Sequence, residues 1–224
     1  GSINSTVSAN VDAGFSIVKF HGTGANATVG HGLSKAPELV ICKDREAANG
    51  WGVGQFQLYN TKALYLDLTI AWDTNNYWNS TNPSSTLISL GTSGATNANN
   101  EMIAYCFHSV DGYSKVGSYV GNGNADGTFV YTGFRPAYLL WKNTVSSSFD
   151  WNVFDNKRDT FNPEKLRLSP NTTNADFDAI SNYPIDFTAN GFKIRGTHGS
   201  TNANGSNYIY IAFAETPFKY SNAR

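Results

Sequence analysis

The residues with the clearest chemical potential in this sequence are aromatic side chains that stand among amide side chains. A long polar segment, DTNNYWNSTNPSS (residues 73–85), carries Tyr77 and Trp78. An aromatic ring can stack on the apolar face of a sugar while neighbouring amides bind the sugar hydroxyls. The segment therefore predicts a carbohydrate-binding loop, with these candidate ligand-binding residues: Trp72, Asn75, Asn76, Tyr77, Trp78 and Asn79. The competing interpretation is that Trp78 closes the hydrophobic core of its own domain.

Catalytic and metal-binding residues are not predicted. The four histidines are scattered, and His31, between two glycines in GHGL, is interpreted as a turn residue. The carboxylates that a glycosidase would need fall near strand ends, in three pairs: Asp44 with Glu46, Asp150 with Asp155, and Asp176 with Asp178. We interpret all three pairs as solvated loop residues and predict no enzyme, no metal ion and no cofactor. Calcium binding by the Asn- and Asp-rich loops stays open, although the sequence has no twelve-residue EF-hand pattern.

The two cysteines are predicted to be buried free thiols. Cys42 and Cys106 lie in the apolar runs ELVICK and IAYCFH, where a small hydrophobic residue belongs. Their spacing matches neither a CxxC motif nor a Cys/His zinc site. The alternative, a disulfide, would require their Cα atoms to lie within about 7 Å of each other.

The composition argues against two classes of partner and favours β-structure. Sixteen Lys and Arg against seventeen Asp and Glu, without a basic stripe, predict no nucleic-acid partner. No apolar run approaches the roughly 18 residues of a membrane-spanning helix, so membrane insertion is not predicted. Short runs rich in Tyr, Phe, Val, Ile and Thr are separated by Gly, Asn, Ser and Asp, which is typical of strands joined by turns.

The two halves of the sequence repeat the same landmarks in the same order. GFSIVKFHGTG, from Gly14, corresponds to GYSKVGSYVGNG, from Gly112, and TNAN occurs at residues 96 and 201. The spacing between corresponding residues rises only from 98 to 106, as short loop insertions would produce. We therefore predict an internal duplication. Aromatic residues matched in both copies are interpreted as scaffold, which leaves the unmatched Trp141 and Tyr183 as candidate ligand-binding residues of the second copy.

The predicted fold class is all-β, with two tandem homologous β-sandwich (jelly-roll-like) repeats packed side by side. Residues 1–13 are assigned to a tag remnant (Gly1–Ser2) and a linker, residues 14–111 to repeat 1 and residues 112–224 to repeat 2. A turn at Asp111 and Gly112 separates the last strand of the first repeat from the first strand of the second. The alternative is a single body in which the two copies interleave their strands.

Four runs carry a resemblance to known proteins: GHGLSKAPELVICK, YWNSTNPSSTLISLG, the junction YCFHSVDGYSKVGSYVGNGNADGTFVYTGFRPAYLLWK and the ending NYIYIAFAETPFKYSNAR. Together they resemble a domain of the tail-fibre and tail-tip proteins of tailed bacteriophages, and the resemblance extends from Gly14 to Arg224. The resemblance is specific as to family but not as to chemistry, because that domain is known mainly as one of uncharacterised function.

The resemblance implies an extracellular protein of the virion tail fibre, at or near the C-terminus of the fibre. Together with the aromatic loop, it predicts a non-enzymatic adhesion domain that binds a host-surface glycan or lipopolysaccharide. The further partners expected are the upstream fibre shaft and, since fibres are usually trimeric, two more copies of the chain. The alternatives are an assembly knob that binds no receptor and a polysaccharide depolymerase.

Overall fold

A computed structural model describes residues 1–178 and 184–217 of the chain. The chain divides into two compact units: unit 1 comprises residues 1–68 and 72–109, and unit 2 comprises residues 69–71 and 110–224. Regular structure in the described residues is almost entirely antiparallel strand, so the predicted all-β class is confirmed. Among these residues no helix has the length and apolar character that crossing a membrane requires.

Unit 1 is built on a seven-stranded sheet. Its elements are β1 (Ser5–Asn10), β2 (Phe15–His21), β3 (Ala27–Gly30), β4 (Leu39–Asp44), β5 (Gly52–Gln55), β6 (Lys62–Tyr65), β7 (Asp73–Thr74), β8 (Leu87–Leu90), helix α1 (Gly94–Asn97) and β9 (Glu101–Phe107). The strand order is β1-β2-β9-β4-β5-β6-β7, and β3 pairs with β8 in a second sheet. Alternate side chains of a strand point to opposite faces. Met102, Ala104 and Cys106 of β9 therefore share one core with Val29 and Ile88 of the second sheet.

Unit 2 has a four-stranded main sheet and a three-stranded second sheet. Its elements are β10 (Ser114–Val120), β11 (Phe129–Tyr131), β12 (Pro136–Asn143), β13 (Asn152–Asp155), β14 (Leu166–Arg167), β15 (Phe177–Asp178), β16 (Ile185–Thr188), β17 (Gly191–Ile194), helix α2 (Gly199–Asn202) and β18 (Asn207–Ala214). The strand orders are β10-β18-β12-β13 and β11-β17-β16, and β14 pairs with β15. Leu139 and Ala212 of the main sheet share one core with Phe187 and Phe192 of the second sheet.

The two main sheets contain the same run of strands. In unit 1 the order β2-β9-β4-β5 corresponds to the order β10-β18-β12-β13 in unit 2. The short helices also make corresponding hydrogen bonds: Asn97 Nδ2 donates to the Gly91 oxygen at 2.8 Å, and Asn202 Nδ2 donates to the Gly196 oxygen at 2.9 Å. These observations agree with a duplication, which stays a prediction, as does the side-by-side packing of the two repeats.

Residues 5–10 form a strand, so the prediction that residues 1–13 are a linker is wrong for this segment. β1 pairs with β2 along its whole length, from Ser5 opposite Phe20 to Asn10 opposite Phe15, and Ile3 before it belongs to the core. Most side chains of β1 are exposed. An edge strand of this kind needs no alternation of apolar residues, so the sequence STVSAN resembles a turn in composition.

Two other segments differ from the sequence-based expectation. The largely apolar run ALYLDLTIAW (residues 63–72) is typical of one long strand, but β6 ends at Tyr65, where the Leu68 nitrogen donates to the Tyr65 oxygen at 3.3 Å in a turn. The segment GTSGATNANN (residues 91–100) has the composition of a turn but contains helix α1. The N-cap of this helix is Ser93, whose Oγ accepts from the Ala95 nitrogen at 3.4 Å. Ser and Asn favour both turns and helix caps, so composition does not separate the two.

The prediction for the cysteines is confirmed: Cys42 and Cys106 are free and buried. They lie on the neighbouring strands β4 and β9, but Cys42 is opposite Ala104 and Cys106 is opposite Val40. Such diagonal neighbours have Cα atoms about 7–8 Å apart, which exceeds the span of a disulfide. Burial raises the pKa of Cys106 to about 12, so its thiol stays protonated and unreactive at neutral pH.

Candidate functional site

Trp78, the leading candidate of the aromatic loop, is a core residue of unit 1. Its side chain is 0 % exposed, and its Nε1 donates to the Lys62 oxygen at 3.1 Å. The ring packs edge-on against Phe56, with centroids 5.2 Å apart, and lies on Gly54, where a Cβ would come within 2.7 Å of it. A ring without exposed surface cannot stack on a sugar. The ligand-binding prediction for Trp78 is therefore corrected in favour of the core interpretation.

Tyr77 is also fully buried, and its hydroxyl has protein partners. It donates to the Asp73 carboxylate and is hydrogen-bonded to the Tyr65 hydroxyl at 2.9 Å. Burial, and after it the bonds to Asp73 and Tyr65, raise the pKa of Tyr77 far above its ordinary value. The side chain thus anchors the loop to β6 and β7, and the prediction that it contacts a ligand is corrected too.

Trp141, a candidate of the second half, is not accessible to a ligand. Trp141 in β12 is 0 % exposed and stacks on Phe154, with ring centroids 5.0 Å apart and an interplanar angle of 3°. Its Nε1 donates to the Ser200 oxygen at 3.2 Å. Trp141 is therefore a core residue and not a ligand contact, which corrects its prediction. Tyr183 lies outside the described residues.

The other candidates of the aromatic loop remain at the surface. Trp72 is half-buried and packs edge-on against Tyr59, with centroids 5.5 Å apart. The polar candidates are exposed or partly buried: Asn75, Asn76 and Asn79. Because the two rings between them point into the core, these amides do not flank an open aromatic surface. The loop therefore lacks the open aromatic surface that a carbohydrate-binding loop requires.

The carboxylates considered for catalysis have structural partners. Asp44 is buried, and its oxygens accept four hydrogen bonds from the turn after β4 and from Asn100. Burial alone would raise its pKa, but these bonds hold the pKa of Asp44 below its ordinary value. Others form ion pairs, which are Asp150 with Arg167, Asp155 with Arg158, Asp176 with Arg158 and Asp178 with Lys165. Within residues 1–178 and 184–217 no group of three or more His, Cys, Asp or Glu is placed to hold a metal ion.

His31 is the turn residue that the sequence indicates. It is fully buried, its Nδ1 accepts from the Leu33 nitrogen at 3.1 Å, and its Nε2 lies 3.2 Å from the Ser84 oxygen. Burial lowers the pKa of His31, despite the bond to Ser84 that acts against this effect. Both ring nitrogens are thus used in closing the turn.

A groove of about 590 Å³ opens at one end of unit 2. It lies where β10 begins, β11 ends, β12 begins and β18 ends, beside the turn between β16 and β17. Its lining side chains that can bind a polar ligand are Asp111, Lys115, Tyr131, Thr132, Arg135, Glu215 and Thr216. Since several polar groups converge around one accessible aromatic ring, this groove is the candidate functional site.

Tyr131, the last residue of β11, lines the groove next to a loop whose backbone is fixed. Gly133 has φ +88°, a conformation that residues with a Cβ rarely adopt. The nitrogens of Thr132 and Gly133 both donate to the Asn190 oxygen, at 3.0 and 3.2 Å, and Phe134 is buried in the core. Tyr131 itself is 65 % exposed. The loop is thus held at both ends, and the tyrosine ring remains open to a ligand.

The charged side chains of the groove include a preformed ion pair. Arg135 binds Glu215 at 2.9 Å, and Asn156 Nδ2 donates to the same carboxylate oxygen at 2.6 Å. The Glu215 nitrogen also donates to the Arg135 oxygen at 2.9 Å, which fixes the two backbones side by side. Lys115, half-buried, and Asp111, exposed, add a second cation and a second anion. The groove therefore offers both donors and acceptors, with no excess of either charge.

A buried carboxyl group lies close enough to this ion pair to respond to its charges. Glu164 is 0 % exposed, and neither carboxyl oxygen has a hydrogen-bond partner in the described part of the chain. Burial raises the pKa of Glu164 to about 8; the negative charges of Asp159, Asp155 and Glu215 act in the same direction, and Arg135 acts against them. Glu164 is therefore mostly protonated at neutral pH, as expected for a buried carboxyl without a partner.

Sequence reasoning missed the groove, although a usable signal was present. Arg135 and Glu215 have no charged counterparts in the first half, where the corresponding residues are Ala36 and Ser109. The unmatched aromatic residues alone do not indicate the groove. The same comparison applied to charged residues would have selected both members of the ion pair.

Comparisons with known proteins identify a family without a known function. A family model described as "Domain of unknown function (DUF7483)" matches residues 1–217, which includes β1 and nearly all of both units. No curated protein and no solved structure matches the chain.

Proposed function

We propose that this chain, which belongs to the DUF7483 family, is a carbohydrate-binding adhesion domain. Its binding site is the groove of unit 2. The observation that carries the proposal is the 65 % exposed ring of Tyr131 beside the preformed pair of Arg135 and Glu215. An open ring surrounded by polar groups in fixed positions is the arrangement with which proteins bind sugars.

The size and chemistry of the groove suit a sugar better than an apolar or a highly charged ligand. Its volume of about 590 Å³ lies within the range of roughly 300–1,000 Å³ typical of small-molecule sites. Glu215 and Asp111 can accept hydrogen bonds from sugar hydroxyls, and Lys115 can donate to sugar oxygens. Because Arg135 and Glu215 already neutralise each other, neither brings a large unpaired charge to the ligand.

The biological setting of the proposal comes from the resemblance to phage tail-fibre and tail-tip domains. On that basis the ligand is a glycan of a bacterial surface, including the sugar chain of lipopolysaccharide, and the domain is exposed on the virion. The assembly knob and the depolymerase are the competing functions. The first would bind no glycan. The second would cleave one, with carboxylates such as Asp111 and Glu215 as its acids.

The test is the binding of Tyr131→Ala to an array of bacterial surface polysaccharides and oligosaccharides. We expect the wild-type domain to bind a subset of the array without releasing new reducing ends. Loss of a central aromatic contact should weaken binding to that subset about 10-fold or more, which corresponds to about 1.4 kcal/mol. The melting temperature should stay unchanged, because the ring is largely exposed.

The matched control is Phe161→Ala, which removes an aromatic ring that is 84 % exposed and does not line the groove. This variant should bind like the wild type. A domain that binds no member of the array would contradict the proposal and favour the assembly knob. If the wild type releases new reducing ends and Glu215→Gln does not, the domain is a depolymerase and not an adhesion domain.

A further inference from the structure

The outer face of the β11–β17–β16 sheet carries a second exposed aromatic ring next to Tyr131. Along β11, Phe129 is 44 % exposed and Tyr131 is 65 % exposed, whereas Val130 between them is buried in the core. Because side chains alternate along a strand, Phe129 and Tyr131 lie on the same outer face, about 7 Å apart along the strand. Tyr131 lines the groove, so this face continues directly from it.

A glycine on the neighbouring strand β17 leaves room for the ring of Phe129. Gly191 of β17 is opposite Tyr131, and Lys193 is opposite Phe129. A Cβ on Gly191 would lie 3.1 Å from Cζ of Phe129, so the edge of that ring rests over the glycine. Gly191 is buried, so the Phe129 ring lies along the sheet at this point, and 44 % of the residue stays exposed.

Fixed polar groups border the aromatic surface. Lys193 Nζ binds the Asp126 carboxylate at 2.8 Å and donates to the Gly127 oxygen at 2.5 Å, and Arg195 binds Asp186 at 2.6 Å. Ion pairs held in this way keep free donor and acceptor positions on their outer sides. The outer face of the sheet therefore combines aromatic rings with ion pairs, as the groove does.

We propose that the ligand is an oligosaccharide of two or more units that leaves the groove past Tyr131 and lies along β11, with Phe129 contacting a further sugar unit. This inference rests on the proposed function of the groove. The two rings on one side of the strand contact neighbouring units of one chain, while the groove binds the terminal unit. The ligand class is therefore a linear glycan segment and not a single monosaccharide.

The experiment compares Phe129→Ala with the wild type on size-graded fragments of one polysaccharide that the array identifies. Monosaccharide, disaccharide and tetrasaccharide fractions are titrated calorimetrically. The wild type should bind the tetrasaccharide roughly 3- to 10-fold more tightly than the monosaccharide, as expected for one added ring contact. In Phe129→Ala this gain should disappear while monosaccharide affinity stays the same, and Phe129→Trp should restore it.

The outcomes separate this inference from the proposed function. Suppose that Tyr131→Ala weakens binding but Phe129→Ala still binds the tetrasaccharide more tightly than the monosaccharide. The groove then binds sugar, and the proposed contact of the glycan with Phe129 along β11 is refuted. If Phe129→Ala changes the oligomeric state in sedimentation and leaves glycan binding unaltered, the face is an interface between copies. This result also refutes the proposed glycan contact along β11. If no fragment of any length binds the wild type, both the proposed function and the proposed glycan contact along β11 are refuted.

Discussion

Replacement of Trp78 by Ala is expected to lower the free energy of unfolding by about 3–5 kcal/mol, the usual cost of removing a buried tryptophan side chain. The ring is fully buried and contacts Phe56 and Gly54, and its Nε1 donates to the Lys62 oxygen. The truncation leaves a cavity in the core of unit 1 and leaves that backbone oxygen without its donor. Urea denaturation, followed by tryptophan fluorescence and circular dichroism, measures the loss.

The control for this variant is again Phe161→Ala, which removes an aromatic ring at the surface. Its unfolding free energy should stay within about 0.5 kcal/mol of the wild-type value. Glycan binding by Trp78→Ala, measured where the protein is still folded, should equal that of the wild type, since the groove belongs to unit 2. If Trp78→Ala is stable but binds glycan more weakly than the wild type, the binding site lies in the loop of residues 73–85 and not in the groove.

Replacement of Glu164 by Gln is expected to remove a fall in stability between pH 5 and pH 8. The carboxyl group has an ordinary pKa of 4.5 in the unfolded chain and about 8 in the folded protein. Between these values the unfolded chain releases the proton while the folded protein retains it, so folding becomes less favourable as the pH rises. The contribution of Glu164 is fully present below pH 4.5 and is lost as the pH rises through 8, by about 3–5 kcal/mol in all.

The measurement is the difference between the denaturation free energies of Glu164→Gln and the wild type across this pH range. The variant should gain in relative stability with rising pH, because Gln has no proton to lose. His31 and His198, whose pKa values burial lowers, contribute equally to both proteins and cancel in the difference. Parallel curves for the two proteins would mean that Glu164 is ionised in the folded state.

A matched control for the pH experiment is Asp126→Asn in the same unit. The hydrogen bond and charge of Lys193 hold the pKa of Asp126 below its ordinary value, so this carboxyl is ionised in both states above pH 5. Its stability curve should therefore run parallel to the wild-type curve from pH 5 to pH 8. This contrast distinguishes the loss of one buried proton from a general effect of removing a carboxylate.

Local patterns in the sequence determined the fold class and many of its strands. The alternation in EMIAYCF and the near-continuous apolar run ELVICK predicted strands that the structure contains as β9 and β4. Such patterns are informative because a strand that faces a core must place apolar side chains on that face. They failed for β1, which lies at a sheet edge and buries little, and the sequence therefore carried no apolar signal there.

Whether an aromatic ring faces the core or the solvent was decided by tertiary structure. The polar neighbours of Tyr77 and Trp78 correctly indicated a surface loop, but both rings turn inward. Space for Trp78 exists because residue 54, on a strand some twenty residues earlier in the chain, is glycine and leaves room for the ring. The composition of residues 73–85 cannot indicate that a glycine on another strand leaves space for the ring.

The groove depends still more on the fold, because its residues come from segments about 100 positions apart. β18 lies between β10 and β12, with Phe213 opposite Ser114 and Ala214 opposite Pro136. This pairing brings Glu215 beside Arg135 and the start of β10. The sequence by itself indicated most strands and the apolar setting of the two cysteines, since these depend on neighbouring residues. Only the tertiary structure decided which polar and aromatic side chains meet, because strand pairing across the chain sets their distances.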